Sequence, residues 1–586
     1  MPPSGSAASS SARPEPPVGW GAVLAATLAA SSVVLVFLPT VVYFFNSSFV
    51  EYTSLEHDAV ALPATVALGL VLAAPALFPR MPRGLIAGAC RFTVIYVVVA
   101  AVFLPSWTPA LDGREHFAGS LSRASIQSHL LLGGLAVSNV VVLLRRPDWA
   151  RGLAQGLFVT ALAFVAYVAV SDTKPAGSHT SAALTKDIGR LLTFSGRGDI
   201  LVVLMDQFQG DVFAELLDED SGLFQAFEGF SYYPNITSVS PQTLLALPAI
   251  YSGYIYRGGS IKKLYVDAYQ DSLFVDAQRA GYSTTLYGAW FFGCPAATCV
   301  SQPVLLRGRV QPVVASYLGL VDYGLMRISP TSLHPGMFQN GLGLLRRLSP
   351  SHYTIDSLRG LASFVAQARV EEGPPTLKFL HLMNTHRPIN MNRACGLDPA
   401  LSQTREHYKN QARCGIDAFL DLLAFLKRSS LYEETLVMLL SDHGAALGAP
   451  SRPYALDGAV KLHSGRTGKF VPLFLVKPPE SGGPLKISQA PASLIDMRAT
   501  VCEAAKICDP PPAGRSVLSL AEGVARERQF IDYRVFARDI AARDELTAAE
   551  MRRFATRAPV RDLDLVTDAG GRPIVEKAVA RGVSVR

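Results

Sequence analysis

The sequence predicts two unlike parts: an N-terminal α-helical membrane domain of five spans, and a C-terminal α/β domain whose mostly parallel sheet is sandwiched by helices. The 586 residues are 49% hydrophobic and 17% charged, against about 25% charged in soluble domains. The apolar residues concentrate before residue 172. From residue 199 onward, short apolar runs alternate with amphipathic helical patterns, which is typical of a parallel sheet covered on both faces.

Five apolar segments account for the membrane domain, which we place at residues 20–171. They cover about 20–45, 59–78, 85–104, 126–144 and 152–170, and each is about long enough to cross ~30 Å of hydrocarbon as a helix. The first is too long for a signal-peptide core and shows no small-residue cleavage site. Residues 1–19 are rich in Ser, Pro and Ala, so we expect a disordered cytoplasmic tail.

The charges of the connecting loops predict the orientation. The loop after the second span carries Arg80 and Arg83, and the loop after the fourth carries Arg145 and Arg146, whereas the loop after the first has neither Lys nor Arg. Because positive loops stay inside, the N-terminus is expected in the cytoplasm. Five crossings then make this a multi-pass protein of the cell (inner) membrane, with the second domain periplasmic or extracytoplasmic.

The cysteines favour the same compartment. One of the seven, Cys90, lies in the third span and is expected to be a buried small hydrophobe. Close spacing predicts disulfides in an oxidising compartment for the other six, with metal thiolates as the alternative that the spacing leaves open. The pairs are Cys294/Cys299, Cys395/Cys414 and Cys502/Cys508.

The outer part divides into a linker at 172–198, a main domain at 199–515 and a C-terminal appendage at 516–586. In the appendage, LAEGVARERQF and ARDIAARDELTAAEMRRFATRA predict helices, and Ala569-Gly570-Gly571 predicts the turn of a hairpin-like unit. The net charge of +7 comes from scattered basic residues, so no nucleic-acid partner is expected. The oligomeric state is not predicted.

Ligand-type side chains recur at the ends of the predicted strands. Each has an ordinary alternative: an acidic residue can cap a helix, a hydroxyl can open one, and a histidine can belong to a turn or a loop. Their convergence is more informative, because the carboxyl ends of parallel strands meet at one edge of a sheet. The candidate residues are Asp206, Thr243, His386, Asp442, His443 and His463.

Several of these residues lie in recognisable motifs. They are Ser441-Asp442-His443-Gly444 after an apolar run, Thr243 five residues before Pro248, Thr385-His386, Leu462-His463-Ser464, and the segment SLIDMRAT with Asp496. On these motifs the outer domain resembles the alkaline phosphatase/sulfatase superfamily. The whole chain resembles its membrane-anchored phosphoethanolamine and phosphoglycerol transferases, which implies a sulfatase-like catalytic domain at 199–515.

The sequence departs from the transferase pattern at three points. Asp206 stands where the transferases usually have Glu, and Val239 and Ala249 stand where many of them have a cysteine pair beside the nucleophile. No Cys/Ser-x-Pro-x-Arg motif of the formylglycine sulfatases surrounds Thr243, which argues against hydrolysis of sulfate esters.

The resemblance implies a role for each candidate. Asp206, Thr243, Asp442 and His443 would hold a divalent metal, zinc first and manganese as the alternative for an oxygen-rich set. Thr243 would be the nucleophile. His386 and His463 would hold phosphate, bind a second metal or protonate the leaving group. The guanidinium of Arg387 is a further candidate, as a phosphate clamp.

The expected function is therefore a transferase. It would move a phospho head group, phosphoethanolamine or phosphoglycerol, from a membrane lipid donor through a covalent Thr243 intermediate to an envelope glycan or lipid acceptor. Two alternatives remain open at this point. One is a sulfatase-like phosphodiesterase or other hydrolase with water as acceptor, which Asp206 favours, and the other is an inactive, membrane-bound binding protein.

Overall fold

A computed structural model of the chain describes residues 18–46, 52–78, 82–105, 123–172, 181–288, 291–306, 310–339, 342–349, 351–447, 449–450, 462–463, 465–508, 513–533, 535, 540, 543–557, 559–560 and 583–585. The chain forms two compact units. The first comprises Met1–Ala176 with Val313–Ser349, and the second comprises Gly177–Pro312 with Pro350–Arg586.

The α-helices are, in chain order, α1 Trp20–Ser32, α2 Leu38–Asn46, α3 Ser54–Ala73, α4 Arg83–Phe103, α5 Arg123–Arg145, α6 Pro147–Ser171, α7 Ser181–Leu192, α8 Gly210–Glu219, α9 Gly222–Ala226, α10 Thr243–Ser252, α11 Ile261–Gln270, α12 Leu273–Arg279, α13 Val310–Arg327, α14 His334–Met337, α15 Tyr353–Gln367, α16 Arg405–Arg428, α17 Gly465–Gly468 and α18 Asp496–Ala505. A π-helical turn, Val33–Phe37, joins α1 to α2.

The strands are β1 Thr193–Phe194, β2 Ile200–Met205, β3 Ser231–Tyr232, β4 Ile236–Thr237, β5 Ser283–Tyr287, β6 Thr298–Val300, β7 Phe338–Gln339, β8 Leu342–Gly343, β9 Arg369–Val370, β10 Thr376–Leu382, β11 Leu436–Leu440, β12 Ala449–Pro450, β13 Leu462–His463, β14 Phe474–Lys477, β15 Lys486–Ile487, β16 Ala492–Ser493, β17 Arg528–Tyr533, β18 Met551–Thr556 and β19 Val583–Val585.

The first unit contains the predicted spans. Five helical segments are long and apolar enough to cross a membrane: Trp20–Asn46, Ser54–Leu77, Arg83–Phe103, Ser125–Arg145 and Pro147–Ser171. The second begins earlier than the hydropathy predicted, because Thr53 and Glu56 close a capping box there. The amide N–H of Glu56 donates to Thr53 Oγ1 at 3.2 Å, and the amide N–H of Thr53 donates to Glu56 Oε2 at 2.7 Å.

The second unit is built around an eight-stranded sheet with strand order β15-β3-β14-β11-β2-β10-β5-β6. Strands β11, β2, β10, β5 and β6 are mutually parallel, and β14 runs antiparallel to both of its neighbours, so the predicted mostly parallel sheet is confirmed. Side chains of β2 enter the core on one face through Leu201 and Val203 and on the other through Ile200 and Val202. A strand buried on both faces explains the uninterrupted apolar run.

Strands β2, β10 and β11 end level with one another. Met205 at the end of β2 lies opposite Leu382 of β10, and Leu204 lies opposite Leu440 of β11. The residues that follow these three strands therefore emerge together at the carboxyl edge of the sheet. This register positions the candidate site.

The C-terminal tail differs from its prediction. The ends of both predicted helices are strands instead: β17 and β18 form an antiparallel ladder, and β18 pairs with β19, while Ile540 and Arg543 inside the second predicted helix are helical. Phe530 stacks on Phe554 with ring centroids 5.3 Å apart, and the amide N–H of Ile531 donates to Val239 O at 2.9 Å. This packing overrides the local helical pattern of a segment rich in Ala, Glu and Arg. The hairpin predicted at 569–571 lies outside the described residues.

The three predicted disulfides are present. They join Cys294 to Cys299, Cys395 to Cys414, and Cys502 to Cys508, while Cys90 is free and buried.

Candidate metal centre

Two carboxylates and an imidazole meet at the carboxyl edge of the sheet. Asp206 follows β2 directly, and Asp442 and His443 follow β11 after one intervening residue. All three side chains are buried, and one potential ligand atom from each lies within 4.8 Å of the other two. The parallel register of β2 and β11 brings together residues that are more than 230 positions apart in the chain.

Backbone groups fix the orientation of Asp442. Its Oδ1 accepts hydrogen bonds from the amide N–H groups of Gln207 at 3.0 Å and His443 at 2.9 Å. The other oxygen, Oδ2, lies 3.4 Å from His443 Nε2. One oxygen is thus held by the backbone, and the second is left for another partner.

The tautomer of His443 follows from its contacts. His443 Nδ1 lies 2.9 Å from the carbonyl oxygen of Gly444, which can only accept, so Nδ1 carries the proton. The lone pair of Nε2 then faces Thr243, whose Oγ1 is 3.5 Å away. A carbonyl that orients the second ring nitrogen is the usual support of a metal-ligating histidine.

The remaining residues of the Ser-Asp-His-Gly motif are structural. Ser441 Oγ donates to Phe208 O at 2.7 Å and accepts from the amide N–H of Leu473 at 2.9 Å, which ties β11 to the segments after β2 and before β14. A Cβ atom at position 444 would lie 2.0 Å from Gly468 O. Only glycine fits there, so the motif combines two ligand-type side chains with two residues that hold the turn.

Thr243 lies against this cluster, as its predicted role requires. It is the first residue of α10, and its half-buried hydroxyl donates to Asp206 Oδ2 at 3.2 Å. The N-terminus of a helix carries a partial positive charge, which favours an anion at this position. The structure therefore places Asp206, Thr243, Asp442 and His443 close together, while their roles as metal ligands stay predictions.

The unsatisfied atoms of the cluster fit a cation. Asp206 Oδ1 and Asp442 Oδ2 are buried, and neither makes a hydrogen bond within the described part of the chain. A buried carboxylate oxygen without a partner is costly, and a divalent metal satisfies it. Two carboxylates, a neutral imidazole and a hydroxyl form a donor set that suits zinc or manganese.

His381 belongs to the site and was missed at the sequence level. It lies in β10, its side chain is buried, and its Nε2 is 3.1 Å from Asp206 Oδ2. The available signal was a histidine, together with Lys378, inside the mainly apolar strand TLKFLHL. A buried imidazole in a central strand needs a polar partner, and the neighbouring strand end supplies one.

His386 lies at the open side of the cluster. Its side chain is 25% exposed, and its Nε2 is 4.0 Å from Asp206 Oδ1. The hydroxyl of Tyr353 is 3.3 Å from His386 Nδ1, and Gln411 Nε2 donates to the carbonyl oxygen of His386 at 3.0 Å. An imidazole that is reachable from solvent and next to the buried acid is suited to exchange protons with a substrate.

The other two predicted residues are placed by their backbone. His463 lies in β13 and pairs with Ala449 of β12, and its side chain is outside the described residues. The backbone N–H of Arg387 donates to Gln207 Oε1 at 2.8 Å. The roles predicted for both side chains stay predictions.

The surroundings shift the pKa values of Asp206 and His443 below their usual ranges. Burial would raise the pKa of Asp206, but the imidazoles of His386, His381 and His443 outweigh it and hold that pKa below its usual range. Burial lowers the pKa of His443, which the carboxylate of Asp442 partly opposes. An ionised carboxylate beside a neutral imidazole is the protonation state that binds a metal.

The C-terminal tail supports the loop before Thr243, which the sequence did not reveal. Tyr533 OH lies 3.2 Å from Ser240 Oγ, and Gln242 Nε2 donates to Val535 O at 3.0 Å. From the other side, Lys469 Nζ donates to Pro241 O at 3.4 Å. A basic residue of the main domain and a strand of the tail thus hold the loop before Thr243 together.

The sulfatase family model matches residues 199–507, just over half of the chain. The chain belongs to the sulfatase family. The match begins one residue before β2 and ends within the segment after α18, so it contains every candidate site residue. A search of curated proteins found no match to this sequence.

Solved structures with some likeness to this sulfatase-family protein include a phosphonate monoester hydrolase, a lipoteichoic acid synthase and a periplasmic domain. The phosphonate monoester hydrolase of Agrobacterium radiobacter is 15% identical, with 61% of this chain and 85% of that chain covered and a TM-score of 0.38. The lipoteichoic acid synthase LtaP from Listeria monocytogenes is 12% identical, with coverages of 58% and 78% and a TM-score of 0.33. The C-terminal periplasmic domain of EcEptC from Escherichia coli, in complex with Zn, is 15% identical, with coverages of 57% and 89% and a TM-score of 0.34. The family assignment rests on the model match and not on these likenesses.

Proposed function

We propose that this membrane protein is a metal-dependent transferase. It moves a phospho head group, phosphoethanolamine or phosphoglycerol, from a membrane phospholipid to an envelope glycan or lipid through a covalent Thr243 intermediate. The observation that carries the proposal is the position of the Thr243 hydroxyl, 3.2 Å from Asp206 Oδ2 and 3.5 Å from His443 Nε2, beside two orphaned carboxylate oxygens.

Asp206, Asp442, His443 and Thr243 would hold the metal, zinc by preference and manganese as the alternative. When bound, such an ion acts as a Lewis acid that lowers the pKa of a hydroxyl and neutralises charge on a phosphoryl group. A threonine hydroxyl is a poor nucleophile without that help. The backbone amides on Asp442 Oδ1 and the carbonyl on His443 Nδ1 keep the donor atoms aimed at one point.

The first half-reaction transfers the head group to the enzyme. The hydroxyl of Thr243 loses its proton to solvent, and its oxygen bonds to phosphorus. The bond from phosphorus to the oxygen of the diacylglycerol part of the lipid breaks. His386, which is partly exposed and oriented by Tyr353, supplies a proton to the departing oxygen. His463 is the second candidate for that proton.

The second half-reaction returns Thr243 to its starting state. A hydroxyl of the acceptor loses its proton to the same histidine, and its oxygen bonds to phosphorus as the bond to Thr243 breaks. The Thr243 oxygen then takes back a proton from solvent. Five candidate spans on the same chain support a lipid donor, because they hold the enzyme at the membrane that contains it. The predicted orientation adds that the acceptor lies in the envelope outside the inner membrane.

Mass spectrometry of the Thr243 peptide tests the proposal. The purified full chain, loaded with zinc, is incubated with vesicles that contain isotopically labelled phosphatidylethanolamine and phosphatidylglycerol. We expect a labelled head-group adduct on Thr243 in the wild type, a weaker adduct in Thr243→Ser, and none in Thr243→Ala. A wild type that never carries an adduct, or a Thr243→Ala variant with full activity, would contradict the mechanism.

A hydrolase is the second candidate, favoured by Asp206 in place of the usual glutamate of the transferases. It would form the same adduct and pass the group to water. Product analysis separates the two: a transferase releases little free head group until a glycan or lipid hydroxyl is added, whereas a hydrolase releases it at the same rate with or without acceptor.

A further inference from the structure

A segment from the middle of the sulfatase-matched sequence belongs to the membrane unit. Val313–Ser349 lies within residues 199–507, yet it groups with the five candidate spans and not with the sheet. It contains most of α13, and no side chain from residue 313 to residue 330 is exposed. A helix enclosed on all sides packs in a core or within a membrane bundle.

On one side, α13 packs against the first and second spans. Tyr317 OH donates to Leu35 O at 2.7 Å, and Ser316 Oγ lies 3.0 Å from His57 Nε2. A Cβ atom added to Gly324 would lie 2.6 Å from Leu38 Cγ, so glycine permits this close approach.

On the other side, the segment reaches the third, fourth and fifth spans. Arg327 Nε donates to Ala101 O at 2.8 Å, and the amide N–H of Thr331 donates to Ser128 Oγ at 3.2 Å. Val168 of the fifth span shares a buried cluster with side chains of α13 and β7. That cluster comprises Val42, Tyr43, Val168, Leu320, Tyr323, Met326 and Phe338.

These contacts all lie toward one end of the bundle of spans. They involve the C-terminal parts of the first, third and fifth spans and the N-terminal parts of the second and fourth. Successive spans run in opposite directions, so these five ends belong to the same side of the membrane. Leu35 is about three helical turns before Asn46, roughly 16 Å along the axis, which is a substantial part of ~30 Å of hydrocarbon.

A buried acid of the segment has its partners within the unit, as an apolar surrounding requires. The buried carboxylate of Asp322 accepts hydrogen bonds from the amide N–H groups of Leu345 at 2.8 Å and Arg346 at 2.7 Å. Asp322, together with several Tyr, Ser and Gly residues, keeps the hydropathy of α13 below that of a membrane span. The sequence therefore gave no membrane signal here.

Three leucines of the segment project outward. Leu333, Leu344 and Leu348 are 54%, 51% and 77% exposed. They belong to the unit that contains the five candidate membrane spans. Leu344 and Leu348 flank Arg346 and Arg347 in the sequence. Leucines beside arginines are typical of a segment at the boundary between acyl chains and phosphate head groups.

We infer that Val313–Ser349 is a sixth membrane element, inserted from one side into the leaflet where these five helix ends lie, with Leu333, Leu344 and Leu348 in contact with lipid. It does not cross the bilayer. The partner is the lipid surface itself, and the inference is independent of the reaction that Thr243 performs. It means that the sulfatase-family sequence enters the membrane a second time, beyond its N-terminal anchor.

Site-directed spin labelling tests this inference. Six of the seven cysteines are disulfide-bonded and Cys90 is free, so Cys90→Ser removes the remaining thiol. A spin label then reacts only with a cysteine introduced into this variant. The full chain with Leu333→Cys, Leu344→Cys or Leu348→Cys is reconstituted in phosphatidylcholine vesicles. Accessibility to oxygen, which concentrates in lipid, is compared with accessibility to a water-soluble nickel chelate. Val170→Cys on the fifth span is the lipid reference, and Val266→Cys on α11 of the second unit is the water reference.

The expected result is an oxygen-to-nickel ratio at the three leucine positions that is several-fold above the ratio at Val266 and close to that at Val170. Nickel accessibility equal to that at Val266 would overturn the inference. Shielding from both reagents would also overturn it, because it would show that protein, such as a second copy of the chain, covers these leucines. All three positions are exposed, so the substitutions leave the packed interior intact.

Discussion

Tyr533 OH, in strand β17 of the C-terminal tail, lies 3.2 Å from Ser240 Oγ, three residues before Thr243. Ser240 Oγ also donates to the carbonyl oxygen of Gln242 at 2.8 Å. The contact with Tyr533 therefore holds the backbone that leads to Thr243. A segment that reads as a surface appendage in the sequence therefore supports the candidate site.

Removal of the Tyr533 hydroxyl should loosen the loop that includes Ser240 and leads to Thr243. For Tyr533→Phe we expect a several-fold lower kcat with little change in KM, and a stability loss of about 1 kcal/mol for one hydrogen bond. Kinetics and thermal unfolding of the full chain measure both quantities. Tyr282→Phe removes a hydroxyl bonded to Gly198 O, away from the loop, and serves as the control. An equal loss of kcat in both variants would show a general effect of stability instead.

His381 should support Asp206 as a metal ligand. Its Nε2 is 3.1 Å from Asp206 Oδ2, and loss of such a supporting group typically weakens metal binding roughly 10- to 100-fold. We expect this loss in His381→Gln, measured by metal content after dialysis against a graded chelator. The partly exposed His407 on α16 gives a control, His407→Gln, that should bind metal like the wild type. Unchanged metal affinity in His381→Gln would contradict the assignment.

Metal removal should destabilise the second unit. A ligand that binds only the folded state adds about 2.7 kcal/mol of stability when its concentration is 100 times its Kd. We expect a chelator to lower the Tm of the wild type and added zinc to restore it, as followed by calorimetry.

Two variants make this measurement specific to the site. Asp442→Asn should have a Tm that is indifferent to chelator, because one of the buried ligands is lost. Asp267→Asn, at a half-exposed acid on α11, should respond like the wild type. A wild-type Tm that does not change on chelation would rule out a stabilising metal at this site.

Lys378 should make stability depend on pH. It is buried in β10, where its Nζ donates to Arg190 O at 2.9 Å, and burial lowers its pKa from 10.5 to about 7. Between these two values the unfolded lysine holds a proton that the folded one has lost. Stability therefore rises as pH rises through this window, by at most about 1.4 kcal/mol per pH unit from this group.

The comparison of Lys378→Met with the wild type isolates this effect. The stability of the variant should no longer rise with pH, and at the acid end of the pH window the variant should be more stable than the wild type. Unfolding at a series of pH values measures both effects. Lys486→Met, at an exposed position of β15, should keep the wild-type slope. If Lys378→Met keeps that slope as well, the pH dependence has another source.

Much of the site could be predicted from local patterns. An apolar run that ends in a ligand-type residue predicts both a buried strand and the edge at which its last side chain emerges. Asp206, Asp442 and His443 were predicted in this way, and Thr243 was predicted from the resemblance to the transferases, whose spacing to a proline it shares. His381 was missed because a histidine inside a strand is indistinguishable from any buried polar residue until its neighbour on the next strand is known.

The sequence by itself determined the order of the parts: five apolar spans, the alternation of strands and helices, the cysteine pairs and the residues at strand ends. These follow from hydropathy, periodicity and short spacing, which are properties of neighbouring residues. Only the tertiary structure decided that Val313–Ser349 joins the membrane unit, that the tail forms strands against the loop before Thr243, and that His381 contacts Asp206. Each of these depends on packing between residues far apart in the chain, where burial and hydrogen bonding outweigh local propensity.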